Sequence, residues 1–218
     1  MNAENRCRVF LITPDWPDDD RLTAALSAAL SGGDVASVLV AAHGLAEDAY
    51  AARLQLLTPL IQQAGAAALA DTDTRAMGRT GADGVHLAVA APALSDAVKR
   101  LSPGRIVGAG GAETRHDALE LGEANPDYLL FGRIGADKRP AAHPKNLDLA
   151  AWWAEFVEIP GVILAGAEIG SVVEAAATGA DFVAVGSAVF DHADPAAAVA
   201  EINALLDAHA PHFAEAAG

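Results

Sequence analysis

Eight short apolar runs, each followed by a longer Ala-rich amphipathic stretch, constrain this 218-residue chain more than any other feature. The runs are Arg8–Thr13, Val35–Ala41, Ala66–Ala70, Gly84–Leu87, Arg105–Gly110, Tyr128–Gly132, Gly161–Gly166 and Phe182–Gly186. Most are apolar on consecutive positions, as strands buried on both faces of a parallel sheet must be. The intervening stretches fit helices over Arg21–Leu30, Asp48–Gln63, Thr74–Thr80, Ala93–Leu101, Thr114–Glu123, Leu147–Phe156, Ile169–Thr178 and Pro195–His209. Asp194 before Pro195 reads as an N-cap followed by a first-turn proline, and Gly81, Gly122 and Gly179 fall where helices should stop. Strict alternation of eight strands and eight helices predicts a single (β/α)8 TIM barrel, with a doubly wound open sheet as the competing arrangement. No linker or low-complexity tract interrupts the pattern. One domain is therefore expected over residues 1–218, with the barrel at about 8–209.

Composition narrows the function classes. Hydrophobic residues make up 52%, much of it Ala, while aromatics are only 5%, which suits helices packed closely on a sheet. No run approaches the length of a membrane span, and the first ten residues carry no secretory pattern, so a cytoplasmic protein is expected. Cys7 is the single cysteine, which excludes a disulfide framework and a Cys-rich metal site. A net charge of −15 argues against nucleic-acid or anionic-membrane partners. Homo-oligomerisation is left open.

In a barrel of this kind ligands sit at the C-terminal ends of the strands. The last two strands end in small residues, Ala165-Gly166-Ala167-Glu168 and Gly186-Ser187, each leading into a turn or helix. Small residues let backbone N–H groups approach an anion, so Gly166, Gly186 and Ser187 are expected to bind a substrate phosphate. Tight helix–sheet packing would also use them. Asp71, at the end of strand 3, is the candidate Mg²⁺ ligand, with helix capping by Asp71 or Asp73 as the alternative. His86 and Gly110 belong to the expected substrate pocket, although a lone strand histidine also suits a hydrogen-bonded core. Asp83 reads as closing a turn before strand 4. Trp152 and Trp153 read as packing residues, one of them partly exposed or at an interface.

One loop stands out against the acidic background of 29 Asp and Glu to 14 Lys and Arg. Arg133, Lys138, Arg139 and Lys145 crowd into FGRIGADKRPAAHPKN, with Asp137 the sole local offset, and no Lys or Arg follows Asn146. The loop follows strand 6 and so neighbours the strand 7 and 8 loops. Cations placed there suggest a second anion such as pyrophosphate. Lys138 and Arg133 are the candidate catalytic residues; for Arg139 and Lys145 a solvated loop is an equal reading.

The string Thr80 to Leu87, TGADGVHL, closely resembles a segment of the thiamine phosphate synthases. FLIT, IVGAG with ALELGEANPDYLLFG, the strand from Ile159-Pro160 through GVILAGAEI, and GADFVAVGSAVF resemble other parts of that family, over roughly residues 8 to 190. The resemblance implies a Mg²⁺-assisted transferase of thiamine biosynthesis. It would join an aminopyrimidine methyl pyrophosphate to a phosphorylated small molecule, a thiazole phosphate, and release pyrophosphate.

Residue by residue the likeness is uneven. The family's Asn-Asp after strand 3 becomes Ala70-Asp71, its second metal Asp falls on Ala91, and its strand 5 Ser becomes Gly110. Its Gln-x-Arg-x-Lys on strand 2 is replaced within VLVAAHG, where His43 is the polar survivor. Its Thr-x-Thr-Lys after strand 6 keeps the lysine, as Lys138, while Gly166, Gly186 and Ser187 match its phosphate loops. Two further readings follow from the losses. One is a non-catalytic or repurposed relative that binds a phosphorylated small molecule. The other, ranked last, is a thiazole tautomerase, which needs a histidine near the end of strand 5 where Gly110-Gly111-Ala112 has none.

Overall fold

The computed structural model describes residues 5–213 and forms one closed barrel of eight parallel strands. The strands are β1 (Arg8–Ile12), β2 (Ser37–Val40), β3 (Ala67–Asp71), β4 (Gly84–Leu87), β5 (Ile106–Gly110), β6 (Tyr128–Phe131), β7 (Gly161–Leu164) and β8 (Phe182–Val185). The register closes where Arg8 to Leu11 pair with Phe182 to Val185, so the competing open sheet is excluded. The outer ring is α1 (Asp19–Ser31), α2 (Glu47–Gln63), α3 (Thr74–Thr80), α4 (Ala91–Leu101), α5 (Arg115–Gly122), α6 (Pro144–Phe156), α7 (Ser171–Ala176) and α9 (Pro195–His209). A short extra helix, α8 (Ser187–Phe190), opens directly after β8. The first strand begins at Arg8 and the last helix ends at His209; residues 1–4 and 214–218 of the expected domain lie outside the described residues.

Local chemistry explains most boundaries. The carboxylates of Asp18, Asp73 and Asp194 accept first-turn N–H groups of α1, α3 and α9, and Thr114 with Asp117 makes a capping box on α5. Asp19 and Asp20 therefore lie inside α1, in its first turn, where their charge favours the helix dipole. Gly81 ends α3 in the left-handed conformation, as expected of a stop signal. Gly122 does something else. A Cβ there would lie 2.9 Å from the Trp153 ring, so it serves close packing of α5 on α6, and Asn125 takes the positive φ of the turn.

Three acidic residues perform a repeated task at the N-terminal ends of strands. Asp83 accepts the N–H of Ala68 at 2.8 Å, Asp127 that of Val107 at 2.7 Å, and Asp181 that of Gly161 at 2.8 Å. Each thus ties an even strand to its odd neighbour at the barrel bottom. The turn expected at Asp83 is a strand-to-strand clasp. Part of the acidic excess is structural in this way, and buried Arg6 adds to it by bonding Asp207, Asn203 and the Cys7 carbonyl.

Apolar side chains fill two layers. Those facing outward from the strands pack beneath the helices, with Trp153 of α6 fully buried against Phe131 and its Nε1 donating to the Ile159 carbonyl. Trp152 is the partly exposed member of the pair and lies under the Arg115 guanidinium. Those facing inward, including Phe10, Leu39, Leu69, Leu130 and Val162, fill the barrel. Tyr128 crosses this interior, edge-on to Phe10 and stacked on His86. The ring needs a glycine opposite: a Cβ on Gly108 would lie 1.9 Å from Tyr128 Cζ. The filled interior leaves the C-terminal mouth as the place for a ligand.

Candidate active site

The loops after β7 and β8 both meet the loop after β6 at the barrel mouth. The loop after β6 brings Lys138, whose Nζ donates to Ser187 Oγ at 3.1 Å, and Asp137, whose Oδ2 accepts the Ser187 N–H at 2.6 Å. Farther along the same loop, the Arg139 carbonyl accepts the Ala167 N–H at 2.6 Å and the Pro140 carbonyl accepts the Glu168 N–H at 3.1 Å. The two glycines identified from sequence stand at these crossings. A Cβ on Gly186 would lie 2.9 Å from Asp137 Oδ2, and one on Gly166 would lie 2.2 Å from the Pro140 carbonyl oxygen. Small residues here admit close approach to N–H groups, and the group that makes the approach is the chain's own loop. Ser171 and Glu174 of α7 brace the arrangement. Ser171 Oγ accepts the Gly166 N–H and donates to the Glu168 carbonyl, while Glu174 accepts the Ala142 N–H.

Beside this junction lies a cavity of about 700 Å³, lined among others by His86, Arg133, Asp137, Arg139, His143 and Lys145. Arg133, Arg139 and Lys145 therefore face one space, while Lys138 is turned to Ser187. Arg133, Lys138 and Arg139 are exposed, whereas Asp137 is 7% exposed, so the cations remain available to a ligand and the carboxylate is committed to the protein. His143 also caps α6 by accepting the Lys145 N–H through Nδ1.

His86 is buried at the cavity floor. Its Nδ1 lies 3.1 Å from Tyr128 Oη, and its Nε2 lies over Gly110, where a Cβ would come within 2.7 Å. Burial pulls the imidazole pKa down to about 4, and the Asp71 charge opposes the shift only in part. The ring is neutral at physiological pH. His86 is thus a hydrogen-bonded core histidine that also lines the cavity.

Asp71 stands apart from the cations. Its Oδ2 accepts the Ala42 N–H, its Oδ1 accepts the Thr72 hydroxyl, and both bonds are 2.9 Å. It opens on a separate depression shared with Tyr50 and Asp73. Asp73, not Asp71, caps α3, so capping does not account for Asp71. Among the described residues no group of three metal-ligating side chains is present. A divalent ion held by Asp71 would draw its other ligands largely from water and substrate oxygens, which is how Mg²⁺ is commonly held. His43 is spent locally, with Nε2 2.8 Å from the Thr13 carbonyl and its backbone at φ 47°.

Sequence reasoning missed Asp137 and Tyr128 as site-forming residues. Asp137 registered only as charge balance, although a lone carboxylate next to Lys138 in a cationic loop is a signal for a specific partner. Tyr128 was signalled by Gly108 and Gly110 on β5, which make room for the Tyr128 and His86 rings.

Comparison with known proteins follows the same lines. The model of the family described as thiamine monophosphate synthase matches residues 9–189. The thiamine-phosphate synthase of Rhodospirillum centenum is 33% identical over 205 residues, covering 92% of this chain and 98% of the relative. That of Hyphomonas neptunium is 33% identical over 213 residues, covering 93% and 95%. Among solved structures, a thiamine phosphate pyrophosphorylase from Pyrococcus furiosus superposes with a TM-score of 0.73 at 22% identity, covering 95% of this chain and 98% of that one. A 3-hexulose-6-phosphate synthase from Salmonella typhimurium does so with 0.73 at 18%, covering 92% and 99%. At such identities the two structures share the fold alone. No helix among the described residues is long and apolar enough to cross a membrane.

Proposed function

The chain belongs to the thiamine monophosphate synthase family, and on that premise we propose that it is a transferase joining an aminopyrimidine methyl pyrophosphate to a thiazole phosphate with release of pyrophosphate. In this reaction the methylene C–O bond breaks and its electron pair leaves with pyrophosphate. The thiazole nitrogen lone pair then forms the C–N bond to the pyrimidine methylene. Such chemistry asks for anion stabilisation and positioning more than for a strong base.

The observation that carries the assignment of residues is the contact of the loop after β6 with both the Ser187 corner and the β7 loop. The thiazole phosphate takes the Ser187 and Gly186 corner, with Gly166 admitting it from the β7 side and Lys138 donating to it. The pyrophosphate lies toward Arg133, with Arg139, His143 and Lys145 around the same cavity. This arrangement moves the pyrophosphate grip from β2, whose SVLV sequence carries no cation, to the loop after β6. His86 and Gly110 form the floor beneath the pyrimidine. Asp71, in register with His86 of the cavity floor, would hold Mg²⁺ at the edge of this space, and the ion when bound neutralises charge on the leaving pyrophosphate. Cytoplasmic location suits this biosynthetic role and the buried, unpaired Cys7. The reading as a non-catalytic phosphate binder is not favoured, because the full-length relatives that match are synthases.

The test is a coupled assay with both substrates and Mg²⁺, run beside calorimetric titration of each substrate alone. Turnover that falls in Asp71→Ala and Lys138→Ala supports the synthase. Thiazole phosphate binding without any turnover would return the protein to the non-catalytic reading.

A further inference from the structure

We propose that residues 137–140 are an internal strap occupying the phosphate site, and that a substrate phosphate binds only by displacing Asp137 from the Ser187 N–H. The proposal rests on the phosphate-site assignment above. It adds that the site is closed by the chain itself before any ligand arrives.

The strap touches both phosphate loops at once. On the β8 side a buried carboxylate oxygen sits 2.6 Å from the Ser187 N–H. On the β7 side the carbonyls of Arg139 and Pro140 accept from Ala167 and Glu168. Each of these acceptors engages a backbone N–H of the kind that would hold a phosphate oxygen, and a bound phosphate group and the strap cannot both accept from them. Asp137 is the strongest of the three competitors, being an anion on an N–H donor. Lys138 Nζ, on Ser187 Oγ, balances its charge. The flanking backbone is suited to a swing. Gly135 has φ 77° and open space around its Cα, while Gly132 has φ 143° and is anchored against Leu164. The mobile portion would start after Gly132 and end at Ala142, which Glu174 holds.

The closed strap lowers the apparent affinity for phosphate by the fraction of molecules in which it is open, and removing Asp137 lifts that burden. Calorimetric titration of thiazole phosphate into wild type, Asp137→Ala and Asp137→Asn tests this, with the unphosphorylated thiazole alcohol as the control ligand. The expected result is binding of thiazole phosphate about tenfold or more tighter in Asp137→Ala. Asp137→Asn, which keeps an acceptor but loses the charge, falls between and serves should the alanine variant fail to fold. The gain should persist at high salt, where a merely general change in field is screened, and the alcohol should bind all three proteins alike. Unchanged or weaker phosphate binding in both variants, with wild type binding normally, overturns the strap and leaves the phosphate site standing. A gain that vanishes at high salt also overturns it. Absence of thiazole phosphate binding in all three proteins overturns the site and the strap together.

Discussion

Lys138 and Ser187, 49 residues apart in sequence, meet with Nζ 3.1 Å from Oγ at the mouth of the barrel. The lysine is exposed and supports nothing in the core, so replacing it tests the proposed contact with a substrate phosphate without disturbing the fold. Replacing it with alanine removes a charge-assisted bond to the phosphate worth about 1.5–3 kcal/mol, and kcat/KM is expected to fall roughly 10- to 100-fold. The melting temperature should stay within about 2 °C of wild type. Steady-state kinetics beside thermal denaturation checks both. A loss of activity that tracks a loss of fold would remove Lys138 from the site.

Gly108 and Tyr128 make a second prediction, about the interior. A methyl group on Gly108 would meet Tyr128 Cζ at 1.9 Å, inside a barrel already filled by Phe10 and Val162. Overpacking of this kind costs about 1–3 kcal/mol, or roughly 2–12 °C in melting temperature for a domain of this size. Shrinking the partner should relieve it. Gly108→Ala combined with Tyr128→Leu is expected to be less destabilised than the sum of the two single variants. Strict additivity would mean that the two positions do not compete for space.

The barrel was legible because its strands are buried on both faces and so read as continuous apolar runs, and β4, α3 and α9 have the bounds the sequence suggests. Helix starts were less legible. His143 caps α6 from before Pro144, three residues ahead of the apolar pattern at Leu147, and a histidine cap has no strong sequence signature. Gly166, Gly186 and Ser187 could be picked out as points of close approach because they are small residues at strand ends. What touches them could not. The contacts of Asp137 and Lys138 with Ser187 bridge 50 and 49 positions and depend on how one loop folds back, which no local pattern encodes. Separation of Asp71 from the cationic cavity is likewise a matter of which depression each side chain faces.

His86 predicts a pH dependence. Its folded pKa is about 4, against an ordinary value near 6.5, so between these two the unfolded chain binds a proton that the folded chain refuses. Stability therefore rises with pH across that window: it is fully present above about 6.5 and declines as pH falls toward about 4, by on the order of 3 kcal/mol from this group. Urea midpoints measured from pH 7.5 to pH 4 should show this extra decline in wild type and not in His86→Gln, which has nothing to titrate. Activity, by contrast, should carry no inflection near 6.5 from this residue, since the ring is already neutral there. Parallel stability profiles in the two proteins would mean that the folded imidazole titrates as it does in the unfolded chain.

Metal dependence separates Asp71 from the rest of the site. Asp71→Asn keeps an acceptor for the Ala42 N–H but loses the charge. The Mg²⁺ concentration for half-maximal activity should then rise by roughly an order of magnitude, a change of about 1.4 kcal/mol. The reverse experiment uses Ala91, the first residue of α4, where the family's second metal carboxylate would fall. An aspartate there is favoured by the helix dipole, and the partly exposed position leaves room for it. If Asp71 holds Mg²⁺, Ala91→Asp should lower the Mg²⁺ requirement in the wild-type background and lower it less in the Asp71→Asn background, because two carboxylates on one ion are coupled. Equal effects in both backgrounds would mean that the two positions act on different ions, and Asp71 would then have to be read as a clamp between β2 and β3 through Ala42.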